Sequence, residues 1–238
     1  MNKILCLNSG GFDSVVMLHY IRETFPNAEI DTLFFRWGQP SSSVEEECAM
    51  KSSLKVLNKP PIIMTVPSAE IWGSVSMTKD DQYIPMRNFV FISMATAYAQ
   101  KNGYDTIALS LIDNEVEEVY FDCSKEFIHN LNVTLESQGI QIITPFLHRT
   151  KWGLYSLARV YDINLHDFFS CNTPVDGEAC GECNDCKAID EIYEYWVDPL
   201  RYVSPEDPNY LGRYLKNEIM EMRLLINNKC QLTCRQVL

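Results

Sequence analysis

At 238 residues with 46% hydrophobic side chains, the chain is long enough for one substantial core with a small appendage and too short for two equal domains. Its formal net charge is −12, and its 20 basic residues are scattered rather than gathered into a stripe, which argues against nucleic acid as the main partner and favours a small-molecule substrate. There is no charged-then-apolar leader and no apolar run near the roughly 18 residues that span a bilayer, so the expectation is a cytoplasmic protein with no membrane role.

Strand-like runs recur at Lys3 to Leu7, Ile30 to Arg36, Ile62 to Val66, Thr106 to Leu109 and Gln141 to Thr144. Helical segments fall between and after them: Ser14 to Thr24, Val44 to Leu57, Asn88 to Lys101, Ser124 to Leu135 and Lys151 to Tyr161. Such alternation predicts an α/β fold, with a five-stranded parallel sheet covered by helices on both faces in a Rossmann-like arrangement. Ligands of such sheets gather beyond the carboxyl ends of the strands, so the loops that follow each strand carry the candidate site.

The first of these loops is Ser9-Gly10-Gly11-Phe12-Asp13-Ser14, set between the apolar run Ile4 to Leu7 and the helix that opens with Val15-Val16-Met17-Leu18. The glycines allow positive φ and close approach of the backbone to a ligand, and the helix start offers unpaired N–H groups and a partial positive charge. That combination is a phosphate site. Ser9 and Ser14 add hydroxyls, while Asp13 can cap the helix, accept from ligand hydroxyls or help hold magnesium. The spacing differs from a Walker loop. It is similar to the pyrophosphate loop, S-G-G-x-D-S, of the ATP pyrophosphatase superfamily, whose members cleave ATP to AMP and pyrophosphate to activate an oxygen of their substrate.

After the second strand comes Trp37-Gly38-Gln39-Pro40-Ser41, with Gln39 a candidate ligand contact, and then Glu45-Glu46-Glu47, for which a solvated helix start is a sufficient account. A loop of about twenty residues without periodicity, Pro67 to Ile84, ends in Tyr83-Ile84-Pro85-Met86-Arg87-Asn88. Asn88 is the expected helix cap, and Arg87 is placed to bind a carboxylate or phosphate in bidentate fashion. Beyond the fourth strand, Asp113 and Asp122 can each accept from paired N–H donors or cap a helix. Lys151, a cation at a helix start, opposes the helix dipole, which a bound anion would explain.

Nine cysteines in a reducing compartment read as thiols or metal ligands. Cys6, Cys48 and Cys123 lie in apolar or helical contexts and suit packing. Cys171, Cys180, Cys183 and Cys186 have the spacing to close a tetrahedron about zinc, a filled shell that is structural, with an iron–sulfur cluster or a redox dithiol as alternatives. A helix from Asn184 to Trp196 leads away from them. Residues 1–165 are thus expected to form the nucleotide-binding domain and 166–203 a zinc module with its helix. Residues 204–238 read as a helical tail whose apolar stripe, Leu211, Leu215, Ile219 and Met222, suits packing on its own or a second subunit.

Taken together, Ser9 to Ser14, Trp37-Gly38-Gln39, Tyr83 to Asn88, Asp122-Cys123 with Glu126-Phe127, Lys151 and the four cysteines resemble the 7-cyano-7-deazaguanine synthase (QueC) family, from about residue 3 to about residue 202. In that family ATP activates the carboxylate of 7-carboxy-7-deazaguanine, ammonia displaces AMP to give an amide, and a second activation yields the nitrile. The resemblance implies ATP binding by Ser9, Gly10, Gly11, Phe12, Asp13 and Ser14, with magnesium. It also implies a role near substrate or phosphates for Arg87 and Lys151, zinc on the four cysteines, and a homodimer; with the local reading, Asp13, Ser14, Arg87 and Lys151 are the expected catalytic residues and Gln39, Arg87, Asp113 and Asp122 the expected substrate contacts. The chain departs from the family where Pro40-Ser41 replaces Arg-His after Gly-Gln, where Ser124 replaces the arginine after Asp-Cys, and where Lys187-Ala188-Ile189-Asp190 follows the last cysteine. The nucleotide half is kept and the acceptor half altered. A variant that stops at the amide or joins a deazapurine to a protein amine, as in an anti-phage system, is therefore an alternative. A tRNA thiolase with the same loop and a non-catalytic nucleotide-binding module are further ones.

Overall fold

The computed structural model describes residues 3–73, 83–112, 120–149 and 151–197. The expected elements form within one or two residues of their predicted ends. β1 (Lys3–Leu7), β2 (Glu29–Arg36), β3 (Ile62–Thr65), β4 (Thr106–Ala108) and β5 (Gln141–Ile143) make one parallel sheet in the order β3-β2-β1-β4-β5. Successive strand residues face opposite sides, so Ile4 and Cys6 enter one core while Leu5 between them enters another.

Helix α1 (Phe12–Thr24) packs on the first face with α6 (Lys151–Val160). Leu18, Ile21 and Leu154 are wholly buried there, and such a side chain contributes about 1.5–3 kcal/mol. Phe168 and Ile192 join this cluster, the latter from α7 (Asn184–Val197). On the other face, α4 (Arg87–Asn102) lays Ala95 and Ala99 against Leu5, Leu33 and Ile107, and α5 (Lys125–Leu135) adds Phe127 and Ile128 against Ile142. Helix α2 (Ser42–Leu57) rests on the sheet through polar pairs: Thr32 with Ser53 at 2.7 Å, and Asn8, which donates to Ser52 at 2.9 Å.

The long loop before α4 departs from the sequence expectation, because its first part folds as a short helix, α3 (Ser68–Trp72). Trp72 donates its indole N–H to the Pro85 carbonyl at 2.9 Å and so ties the two ends of that loop together. Asn88 is not the cap of α4. The helix starts one residue earlier, and Met86 holds the cap position with φ 55. Asp113 and the tail, with its proposed helix, lie outside the described residues.

Strand order reverses across β1, with β2 on one side and β4 on the other. Connections leaving such a switch point part to opposite faces and open a crevice. The glycine loop follows β1 directly, so the fold puts it at the floor of that crevice.

Candidate active site

A cleft of about 480 Å³ opens at the carboxyl ends of the strands. Its floor is the loop from Asn8 to Ser14. Gly10 takes φ 75, and a Cβ added there would lie 2.1 Å from the Glu45 carbonyl oxygen, so only glycine lets the loop pass this close to α2. Asn8, 1% exposed, organises the turn: its Oδ1 accepts from Gly10 N–H at 3.1 Å and from the Ser14 hydroxyl at 3.2 Å. Among the described residues, the N–H groups of Asp13 and Ser14 donate to no protein acceptor, as expected of an anion-binding helix start.

One wall is aromatic. Phe35 stacks on Phe91 at 4.7 Å between centroids, Trp37 lies 6.2 Å from Phe91, and the Arg87 guanidinium sits 5.5 Å from the Trp37 ring centroid. Such a wall suits a flat heteroaromatic ring, and a stacked guanidinium keeps its N–H fork for an anion. Leu109, Leu111 and Ile112 continue the wall after β4.

The charged lining comprises Asp13, Glu45, Asp185, Arg87 and Lys151. Burial raises the Asp13 carboxyl to about 6, with Lys151 opposing that rise and Asp185 adding to it. Burial also raises Glu45, against hydrogen bonds from Gln39 and Ser41 and the charge of Arg87. These bonds are 3.0 Å from Gln39 Nε2 and 2.8 Å from Ser41 Oγ. Gln39 thus reaches the cleft with its amide already engaged, since Oε1 accepts from Trp37 N–H at 3.0 Å. Its geometry makes it the residue that orients Glu45.

Two sequence expectations are corrected here. The glutamate run is not uniformly solvated: Glu46 pairs with Arg36 at 2.6 Å and Glu47 with Lys51 at 2.7 Å, but Glu45 turns inward. Asp122, expected to contact substrate, is 4% exposed and stands outside the lining, where it accepts the Asn88 N–H at 2.8 Å. It caps α4 from another segment. Its neighbour Cys123 does reach the cleft and accepts from Asn88 Nδ2 at 3.1 Å.

The four cysteines converge, with all four Sγ atoms within 4.8 Å of one another. Separations of 3.5, 3.9 and 4.0 Å are close to the roughly 3.8 Å between ligands of a single tetrahedral ion, and all the described cysteines are free thiols. The Thr173 hydroxyl and the N–H groups of Glu182 and Cys183 donate to the Cys180 sulfur and hold its thiol down to about 6, as donors behind a metal-binding thiolate do. These residues can hold a metal ion.

This module is also a wall of the cleft. Phe169 N–H donates to the Gly10 carbonyl at 2.9 Å, and Ser170 Oγ accepts from Phe12 N–H at 3.1 Å, which locks the segment before Cys171 onto the glycine loop. Ser170, Asn172 and Asp185 line the cleft, and Asn172 donates to Asp185. None of these three was singled out by local pattern, because their approach to the loop is a tertiary event. Asn8 left a faint signal, as a polar residue closing an apolar strand.

A profile of the family described as queuosine biosynthesis protein QueC matches residues 3–196. A 7-cyano-7-deazaguanine synthase from Nautilia profundicola is 34% identical over 207 residues, covering 79% of this chain and 91% of that one. One from Nitratiruptor sp. is 28% identical over 204 residues, covering 78% and 90% respectively. Among solved structures, a U34-tRNA thiolase, NcsA, from Methanococcus maripaludis with its [4Fe-4S] cluster aligns with a TM-score of 0.52 at 14% identity, covering 95% of this chain and 74% of that one, a likeness of fold alone.

Proposed function

The chain belongs to the QueC family of queuosine biosynthesis proteins, and from that premise we propose that it is an ATP-dependent ligase acting on the carboxylate of 7-carboxy-7-deazaguanine. One observation carries the reading. A glycine loop with open N–H groups, two cations and an aromatic wall share a single cleft at the switch point of the sheet.

The N–H groups of Asp13 and Ser14, with the Ser9 and Ser14 hydroxyls, bind the phosphates of ATP, and Lys151 and Arg87 offset the charge that builds as pyrophosphate leaves. The substrate carboxylate attacks the α-phosphorus. A phosphorus–oxygen bond forms, the bond to pyrophosphate breaks, and an acyl adenylate results. The nitrogen lone pair of ammonia then forms the carbon–nitrogen bond while AMP departs with the carbon–oxygen bonding pair, and the nitrogen releases one proton to water to leave the neutral amide. Laid against the wall of Phe35, Trp37 and Phe91, the deazapurine keeps its carboxylate aimed at the loop. Asp13 is placed to help hold magnesium, which when bound would neutralise phosphate oxygens.

Zinc is the proposed ion of the four cysteines, since their separations suit one ion and an iron–sulfur cube would spread its ligands further apart. The chain is proposed to act in the cytoplasm as a homodimer. Its charge of −12 gives no support to a tRNA substrate.

The test is incubation with 7-carboxy-7-deazaguanine, ammonium and magnesium ATP. Equal amounts of AMP and pyrophosphate should appear, one pair per amide and a second pair per nitrile, with the end product read by mass spectrometry. Release of ADP instead would overturn the mechanism.

A further inference from the structure

The proposed ligands of the cleft are anionic, a triphosphate and a carboxylate, yet its lining carries three carboxylates against two cations. A surplus of negative charge in an anion site weakens binding unless a cation shares the space. Two of the carboxylates have evident work. Glu45 is held by Gln39 and Ser41 beside Arg87, and Asp13 lies in the phosphate loop itself. Asp185 is different. It enters from the cysteine module on α7, and Asn172 is its hydrogen-bond partner among the described residues. Neither Asp185 nor Lys151 makes a contact ion pair among the described residues, though the charges of Lys151 and Arg87 both act on Asp185.

We propose that Asp185, steadied by Asn172, binds the acceptor amine as its ammonium ion, which gives up a proton to solvent before its lone pair attacks the adenylate, and that the metal module therefore carries the acceptor subsite of the cleft. This rests on the adenylation reading above. The surroundings favour a singly charged ammonium group over a hard dication. On α7 the apolar side chains of Ala188, Ile189 and Ile192 line the cleft beyond Asp185, and Lys151, whose charge acts on Asp185, repels a dication more strongly than a singly charged ammonium group. Ammonium and a primary ammonium group on a larger molecule share this chemistry. The subsite is fixed relative to the adenylate because residues 169 and 170 are hydrogen-bonded to the glycine loop.

The test separates the two half-reactions in Asp185→Asn and the wild type. ATP–pyrophosphate exchange with 7-carboxy-7-deazaguanine reads adenylation, and AMP release against ammonium chloride or glycinamide reads amine capture. The KM for whichever amine the enzyme uses should rise tenfold or more in Asp185→Asn, while exchange falls less than threefold. The amine that saturates the wild type identifies the acceptor class. Asp185→Glu, which keeps the charge but moves it, should shift the same KM by threefold or more with metal content unchanged, so the result stands even if the asparagine variant loses its metal. An unchanged KM for both amines, or an equal loss of exchange and capture, overturns the proposal while adenylation stands. No exchange in the wild type removes the adenylation reading and this proposal with it.

Discussion

Asp122 Oδ2 accepts the backbone N–H of Asn88 at 2.8 Å across 34 residues of chain, and this bond starts the helix that carries Arg87. Met86, in the left-handed region at φ 55, supplies no side-chain cap, so the first turn of α4 depends on Asp122. Asp122→Ala should cost about 1–2 kcal/mol, lower the Tm by about 2–4 °C per kcal/mol, and raise the KM of the ligand that Arg87 holds. Asp122→Asn keeps an acceptor oxygen and should recover most of both. If the asparagine variant matches the alanine variant in KM, the negative charge itself contacts the ligand and the capping account is wrong.

The paired glycines make different demands. At Gly10 a Cβ would meet the Glu45 carbonyl at 2.1 Å with φ 75, whereas at Gly11 it would meet the Ser9 hydroxyl at 3.3 Å with φ −76. Gly10→Ala should therefore destabilise by more than about 3 kcal/mol, through both overlap and backbone strain. Gly11→Ala should cost less than about 1 kcal/mol yet crowd the phosphate position and reduce AMP release. Thermal melts beside AMP assays would show whether stability and activity divide in this way.

The sheet and the glycine loop were legible in the sequence because their signals are local: apolar runs, turn residues and a strand that feeds a helix. What could not be read was which polar side chains other segments would bring to that loop. Glu45, Glu46 and Glu47 look alike in the sequence, and only the angle of α2 against the loop turns Glu45 inward. Asp185 lies inside the cysteine run, where spacing speaks of the metal and hides a second use. Asp122 shows the same limit, since the structure gives it a capping bond that its own segment does not announce. An isolated aspartate after a strand reads equally as contact or cap, and the long-range bond to Asn88 decides between them.

Asp13 gives the empty cleft a pH-dependent cost. Its carboxyl is raised from 3.8 to about 6, so the folded state binds the proton more tightly than the unfolded chain. Below about pH 4 both states are protonated and the group is neutral to stability. As pH rises from there through about 6, stability is lost, to a limit of about 1–3 kcal/mol above pH 7. Asp13→Asn cannot ionise. Its Tm without ligand should equal that of the wild type at pH 4 and exceed it at pH 8, while its AMP release is abolished. A Tm difference that is constant with pH would show that Asp13 titrates normally.

Metal removal should reach the nucleotide. The ion would fix Cys171, Cys180, Cys183 and Cys186, and the residues next to Cys171 are bonded to Gly10 and Phe12 of the loop. Losing it frees residues 169–172 and the start of α7, and with them one wall of the cleft. Cys183 has no exposed surface, so Cys183→Ser replaces a ligand without creating a surface change. Its metal content should fall below the one zinc per chain proposed for the wild type, and ATP affinity measured by calorimetry should fall at least tenfold, before any amine is added. Chelation of the wild type should reproduce both effects, and re-added zinc should restore them. Undiminished ATP binding in the metal-free protein would reduce the module to a staple on the end of the fold and separate it from the active cleft.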